Sequence, residues 1–550
     1  MTELLRITNL QVQAFSNDQW ITIVKNINAK LERGEVLGLI GESGAGKSTI
    51  GLAAMAYARM GCRICGGSIV FDGTELLGQS QELLRKIRGK RIAYVAQSAA
   101  ASFNPAHRLI KQYAEAAVQH KLMSHAEAKK KAIGMYRRLL LPDPECIGYR
   151  YPHEVSGGQL QRAMVAMAMA CTPDLIIFDE PTTALDVTTQ IEVLAAIKKI
   201  TSELNTAVIY ITHDLAVVAQ LAHHIMVLRY GELVEENSTR QILGDPEKDY
   251  TRALLSVREL HEDKDRPSSE KNILLEVENV SASYSQREND AVLKDINLRI
   301  RRGQTVALVG ESGSGKSTLA RVITGLLPSL TGRVSYEGSV LPSALRNRPR
   351  EILRQVQMIY QMPDTALNPK HKIRLLLGRP LFFYFGMKTK AREKRIYELL
   401  DQIGLPRKYI DRYPNELSGG EKQRICIARC LAAKPTLIVC DEPTSALDQL
   451  VAEGILKLLQ ALQKELRVSY LFITHDLATV KAICDEIIVM FKGSIVEQGL
   501  KKDVLTAPQH QYTQLLLSSI PKLDPDWLDN VLDQRKRNGI EMKGLAQPQN

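Results

Sequence analysis

Gly41-Glu42-Ser43-Gly44-Ala45-Gly46-Lys47-Ser48 has the spacing G-x-x-x-x-G-K-S, and Gly310 to Ser317 repeats it. Glycines at these positions let backbone amides curl round an anion with no Cβ in the way. The lysine ammonium reaches the β- and γ-phosphates of a nucleotide, and the serine hydroxyl ligates Mg²⁺. Such a loop needs a strand before it and a helix after it. Val36-Leu37-Gly38-Leu39-Ile40 and Thr305-Val306-Ala307-Leu308-Val309 are apolar runs that read as buried parallel strands. Thr49 to Met60 and Thr318 to Leu327 read as helices whose N-termini face the anion. One match to the pattern arises by chance in a Gly-rich turn. Two, each between strand and helix, point to a chain that binds two nucleoside triphosphates.

A pair of acids follows each loop. Leu175-Ile176-Ile177-Phe178-Asp179-Glu180 and Leu437-Ile438-Val439-Cys440-Asp441-Glu442 are apolar strands ending in two carboxylates. Beside a phosphate-binding loop, the first acid can hold Mg²⁺ through water and the second can orient or deprotonate an attacking water. The copies lie at matching offsets: 269 positions from Gly41 to Gly310, and 262 from Asp179 to Asp441 and from His213 to His475. The halves therefore read as one duplicated unit, with about seven residues lost on the way.

The chain has 550 residues, too many for one core, and 45% of them are hydrophobic. No apolar run is long enough to span a bilayer, and the richest, Ala163 to Phe178, is broken by Thr172-Pro173-Asp174. The N-terminus lacks the basic segment and apolar core of a signal peptide, so cytoplasmic residence is expected. Eight cysteines, mostly in apolar helices and strands, suit reduced thiols. Cys62-x-x-Cys65 reads as a turn before the strand Ser68 to Phe71, with no second pair and no His cluster to make it a metal site. The net charge of +11 is dispersed. Lys129-Lys130-Lys131 lies on a helix opened by the capping pattern Ser124-x-x-Glu127, and a solvated helix face is the expected reading. The charged, turn-rich stretch His261 to Ser269 reads as a linker. The expected organisation is a first domain over 1–258, a linker over 259–272, a second domain over 273–520, and a polar tail over 521–550 with no counterpart in the first half.

Upstream of the acids stand Val155-Ser156-Gly157-Gly158-Gln159 and Leu417-Ser418-Gly419-Gly420-Glu421, each opening an amphipathic helix. Serine and glycines before a helix offer a hydroxyl, close backbone approach and a helix dipole, a second surface for phosphate. Here the chain resembles the ABC transporter ATPases, whose LSGGQ signature separates them from other phosphate-loop proteins. Gln97 and Gln361 match the family's Q-loop, Thr183-Ala184-Leu185-Asp186 and Ser445-Ala446-Leu447-Asp448 its D-loop, and His213 and His475 its switch histidine. The resemblance covers nearly the whole chain.

What the resemblance implies is specific. The fold is α/β: tandem cassettes, each a RecA-like parallel-sheet core with an antiparallel β subdomain and a helical subdomain. Glu180, His213, Glu442 and His475 are implied to be catalytic. Ser48, Gln97 and Asp179, and Ser317, Gln361 and Asp441, are implied to hold Mg²⁺. ATP would be bound by Gly41, Gly44, Gly46, Lys47, Ser48, Thr49 and Gln97 in the first half and by Gly310, Gly313, Gly315, Lys316, Ser317, Thr318 and Gln361 in the second. Phe15 and Tyr284, equally far ahead of their loops, are expected under the adenine, with Trp20 an alternative to Phe15. Family members pair head to tail, so Ser418 and Gly420 would close the nucleotide on Lys47, and Ser156 and Gly158 that on Lys316. Fusion makes that dimer intramolecular. Both sites keep their acid and histidine, and both are expected to hydrolyse ATP.

Between the motifs, Ser102-Phe103-Asn104-Pro105 and Ala366-Leu367-Asn368-Pro369, with Tyr250-Thr251-Arg252-Ala253-Leu254-Leu255 and Tyr512-Thr513-Gln514-Leu515-Leu516, resemble features of the oligopeptide, dipeptide, nickel and opine importers. Fused double ATPases of that group resemble those serving glutathione or peptide-antibiotic uptake. No Cys follows Cys171 in the first half or Cys484 in the second, so no iron–sulfur cluster is expected. The resemblance implies two transmembrane permeases, a solute-binding protein, a peripheral place at the cytoplasmic face of the inner membrane, and no nucleic acid. The segments Ser98 to Glu154 and Met362 to Glu416 are helical by pattern and are expected to dock on permeases; only the second carries Leu381-Phe382-Phe383-Tyr384-Phe385, so two non-identical permeases are expected. The alternative is a soluble tandem ABC ATPase acting on the ribosome or nucleic acid. Such proteins carry a long charged linker and DEPTNHLD wording, against DEPTTALD and DEPTSALD here.

Overall fold

In the computed structural model the described residues are 2–16, 18–182, 185–256, 272–285, 290–445 and 447–537. The expected linker stretch His261 to Ser269 lies outside them, as do Thr183, Ala184 and Ala446 of the two D-loops. Two compact units form, Met1–Ser256 with Pro521–Asn550, and Val257–Ile520.

In the first unit the strand Val36–Gly41 lies between Ala207–Ile211 and His224–Arg229, all parallel. Leu175–Asp179 and Ile92–Val95 extend the sheet on one side, and Glu232–Ser238 closes the other, antiparallel. The central strands are buried along their length, one face packing against the helix Lys47–Ala53 and the second, antiparallel sheet, which is why they read as unbroken apolar runs. A second sheet is antiparallel, with Glu3–Ser16 between Gln19–Glu32 and Cys62–Phe71 and with Thr74–Glu75 at its edge. The second unit repeats both strand orders, with Thr305–Val309 in the place of Val36–Gly41.

Register decides what the sheet can present. Gly41 pairs with Leu228 and Asp179 with Ile211, so these parallel strands end level. The residues just past them, Gln97, Glu180 and His213, therefore emerge beside the phosphate-binding loop at one carboxyl edge. Asp441 pairs likewise with Ile473, and Val309 with Val489.

Three local expectations change. The helices after the loops are Lys47–Ala53 and Lys316–Thr324, shorter than Thr49 to Met60 and Thr318 to Leu327. The first ends at Ala53, three residues before Ala56 takes a left-handed φ of 53°, and the second ends at the cap Gly325, with φ of 80°. Cys62 and Cys65 are not in a turn, because the strand runs over all of Cys62–Phe71. Three residues apart on a strand, they face opposite sides; Cys62 packs against the core and Cys65 is exposed. Elsewhere Ser124 and Glu127 form the capping box that opens His125–Arg138, with Lys129, Lys130 and Lys131 exposed. Among the described residues no helix is long and apolar enough to cross a membrane.

Candidate nucleotide sites

Each phosphate-binding loop is held by its own lysine. Lys47 Nζ donates to the carbonyls of Gly41 (2.7 Å) and Glu42 (2.9 Å), and Lys316 Nζ to those of Gly310 (2.8 Å) and Glu311 (2.7 Å). Both lysines are buried, a position that a cation holds only with oxygens around it. Gly41 and Gly310 adopt φ of 147° and 152°, and a Cβ there would strike the carbonyl oxygens of Leu228 and Met490. No other residue fits at that point of the turn. The helices opening at Lys47 and Lys316 have no side-chain cap on their first turn, and a helix N-terminus of that kind favours an anion.

Beside each loop a hydroxyl meets a carboxylate. Ser48 Oγ donates to Asp179 Oδ1 at 2.8 Å, and Ser317 Oγ to Asp441 Oδ1 at 3.0 Å. Gln97 Nε2 donates to Glu180 Oε2 and Gln361 Nε2 to Glu442 Oε2, both at 2.8 Å, which leaves the amide oxygens as acceptors. Hydroxyl, carboxylate and amide oxygen are hard donors of the kind Mg²⁺ takes beside phosphate oxygens, so the residues fit that ion.

Glu180 and Glu442 each stand between a glutamine and a histidine. His213 Nδ1 lies 3.1 Å from Glu180 Oε1, and His475 Nδ1 lies 3.3 Å from Glu442 Oε1. Burial pulls both imidazoles down, but the adjoining carboxylates outweigh it and the net shift is upward. Burial raises the Glu442 carboxyl, but His475, Lys316 and Gln361 together outweigh it, so it ends below the usual range. Both glutamates have left-handed backbones, φ 49° and 47°, a conformation that costs a non-glycine residue roughly 1–3 kcal/mol. Their N–H groups are fixed on the carbonyls of Ile211 (2.9 Å) and Ile473 (3.0 Å), which holds each acid in that pose. The histidines are set by small turns: Thr212 Oγ1 accepts from Asp214 N, and Thr474 Oγ1 from Asp476 N, both at 3.0 Å.

Ser156 and Ser418 open the helices Gly157–Ala168 and Gly419–Leu431 through capping boxes with Gln159 and Glu421. Each hydroxyl oxygen accepts there from the N–H three residues on, and the Ser418 side chain is also hydrogen-bonded to the Glu421 carboxylate. Gly158 and Gly420 lie in the first turns of those helices.

The two aromatic positions differ. Tyr284 is half exposed and its hydroxyl lies 3.1 Å from Thr318 Oγ1, beside the loop's helix, where it also accepts from Arg321. Phe15 is exposed and pairs with Trp20, ring centroids 5.3 Å apart, so either ring of the first half remains a candidate.

Two tyrosines that sequence reasoning did not place at the site touch the loops. Tyr250 OH accepts from Glu42 N at 3.3 Å and Tyr512 OH from Glu311 N at 2.8 Å. They belong to the Tyr-Thr segments used above to compare subfamilies, and their recurrence in both halves was the available signal. Carboxylates hold those segments: the buried Glu235 accepts from Glu247 N and Lys248 N, and the half-buried Glu497 from Gln509 N and His510 N. In the first half alone, Tyr94 donates to Asp179 Oδ2 at 2.5 Å.

A family model described as ABC transporter matches residues 24–183 and 293–445, and one described as oligopeptide/dipeptide transporter, C-terminal region, matches 496–544. The chain is 36% identical over 562 residues to the glutathione import ATP-binding protein GsiA of Salmonella paratyphi A, a match covering 95% of this chain and 90% of that protein. It is 37% identical over 526 residues to the ABC transporter ATP-binding protein YejF of Escherichia coli K12, covering 94% and 99%.

Proposed function

The chain belongs to the ABC transporter family, and from that premise we propose that it is the ATPase subunit of a bacterial importer, with both of its nucleotide sites hydrolytic. The observation that carries this is the duplicated constellation: in each half a lysine-held loop, a Ser–Asp pair, and a glutamate between glutamine and histidine.

In this reading Lys47 and Lys316 exchange their loop carbonyls for substrate phosphate oxygens. Ser48 and Asp179, and Ser317 and Asp441, would hold Mg²⁺, which when bound would neutralise charge on the transferring phosphoryl group. Glu180 and Glu442 orient the attacking water and take its proton. His213 and His475 fix those carboxylates and supply positive character as charge develops. In this reading the two halves would pair head to tail, and Ser156 and Ser418 would turn their hydroxyls to the nucleotide of the opposite half.

The cargo class follows the relatives' names and the matched C-terminal region: a peptide or a small peptide-like molecule such as glutathione. The partners are two permeases and a solute-binding protein, at the cytoplasmic face of the inner membrane. Exposed Phe382 and Phe383 on the helix Ile373–Phe385 support permeases that are not identical, since the first half has no such run. The test is purification of the protein from detergent-solubilised native membranes, with mass spectrometry of what stays bound at low and high salt. Two multispanning proteins in equal amount are expected. Ribosomal proteins without a permease would overturn the reading.

A further inference from the structure

The segment after Pro521, which has no counterpart in the first half, lies against the first unit. Its anchor is Gln220, a buried amide just past the helix Leu215–Ala219. Gln220 Nε2 donates to the carbonyls of Lys522 (2.8 Å) and Asp524 (3.1 Å) as well as Ala216 (3.0 Å), and Gln220 Oε1 accepts from Leu528 N at 3.0 Å. An amide with so little access to water needs these partners, and the segment supplies three of the four bonds. Trp527, Leu528 and Val531 of the helix Trp527–Arg537 are buried there. At the rim Arg240 meets Asp526 at 2.9 Å and Lys198 meets Asp529 at 2.9 Å. Exposed pairs like these add little energy but fix register.

The duplication shows why the segment sits on this face. With the 262-residue offset, Gln220 corresponds to Ala482, Lys198 to Gln460 and Arg240 to Lys502. Ala482 has no amide to offer, and its carbonyl is already taken by Gln460 Nε2 at 3.0 Å. The equivalent face of the second domain thus lacks the anchor, although that domain is the one the segment directly follows in sequence.

We infer that the segment from Pro521 to Arg537 is a clasp: the end of the second half grips the first domain, so that the tandem is closed by a second, noncovalent tether in addition to the linker. A tether of this kind keeps the effective concentration of one half near the other high.

The experiment uses the full chain with a protease site inserted between Val257 and Asn272, cut after purification and run on gel filtration without nucleotide. The clasp predicts that the cut halves co-elute. It also predicts that Leu528→Asp, which puts a carboxylate at a fully buried position, weakens their association about tenfold or more. Arg240→Asp weakens it less, and Asp526→Arg in the same chain restores it, a rescue that a misfolded first domain would not show. Separation of the cut halves with the segment intact overturns the inference. So does co-elution that neither Leu528→Asp nor removal of residues 521–550 changes.

Discussion

Asp179 and Asp441 occupy the same place in the two halves and accept from equivalent serines, yet they do not have the same surroundings. Asp179 also accepts from the Tyr94 hydroxyl and has Arg59 at 4.0 Å. At the position of Tyr94 the second half has Met358, which has no hydroxyl to give. Burial there pushes the Asp441 carboxyl above its usual range. The difference teaches that intact motifs do not make identical sites. The residues proposed to touch nucleotide are duplicated, while a neighbour one contact further out, Tyr94 against Met358, has diverged.

The bluntest way to break the comparison is to remove each acid in turn. Glu180→Gln and Glu442→Gln are each expected to lower ATP turnover by roughly 10²-fold or more, since a positioned general base contributes about 10²–10⁴. If one substitution leaves turnover and uptake intact, that site is regulatory and the halves are functionally unequal. Tyr250→Phe and Tyr512→Phe probe the loops from outside. Losing one hydrogen bond of about 1 kcal/mol should weaken nucleotide binding roughly fivefold, with kcat little changed. The effect should be larger for Tyr512, whose bond is 2.8 Å against 3.3 Å, and titration with a fluorescent nucleotide measures both.

A finer test exchanges the divergent neighbours. Tyr94→Phe should shift the Mg²⁺ dependence of ATPase activity a few-fold, because Asp179 loses a donor that competes for its oxygen. Met358→Tyr should move the second site the other way, and no shift in either would show that the tyrosine is irrelevant to the metal. The smallest effect is on stability. His475 sits above its ordinary 6.5, so its contribution is complete below that pH and is lost as pH rises through the raised value. Glu442 sits below its ordinary 4.5, so its contribution is complete above that pH and is lost as pH falls through the lowered value. The loss of Tm in His475→Ala should therefore be greatest between pH 4.5 and 6.5 and shrink at higher pH.

Much of the fold could be read from residue order because its determinants are local. A glycine at a left-handed turn, a lysine six residues on and an apolar run before them constrain a strand, loop and helix whatever lies elsewhere. The Thr-His-Asp turns are equally local, since Thr212 and Asp214 bond within three residues. Helix ends were less legible. The helix after the first loop ends at Ala53, and the chain turns through a left-handed Ala56 that its residue type does not announce. The cysteine pair was misplaced because a glycine-rich strand looks like a turn when its pairing partner is out of view.

By itself the sequence determined the duplication, the α/β class, and the chemistry at the carboxyl edge of each sheet, because the spacing of reactive groups round a phosphate is a short-range property. Tertiary structure alone decided which groups meet across long separations. Gln97 reaches Glu180 over 83 residues, Tyr512 reaches the loop over 201, and Gln220 anchors a segment 302 residues away. Such contacts depend on strand register and on which buried polar atom is left needing a partner, and neither is written in any local stretch of the chain.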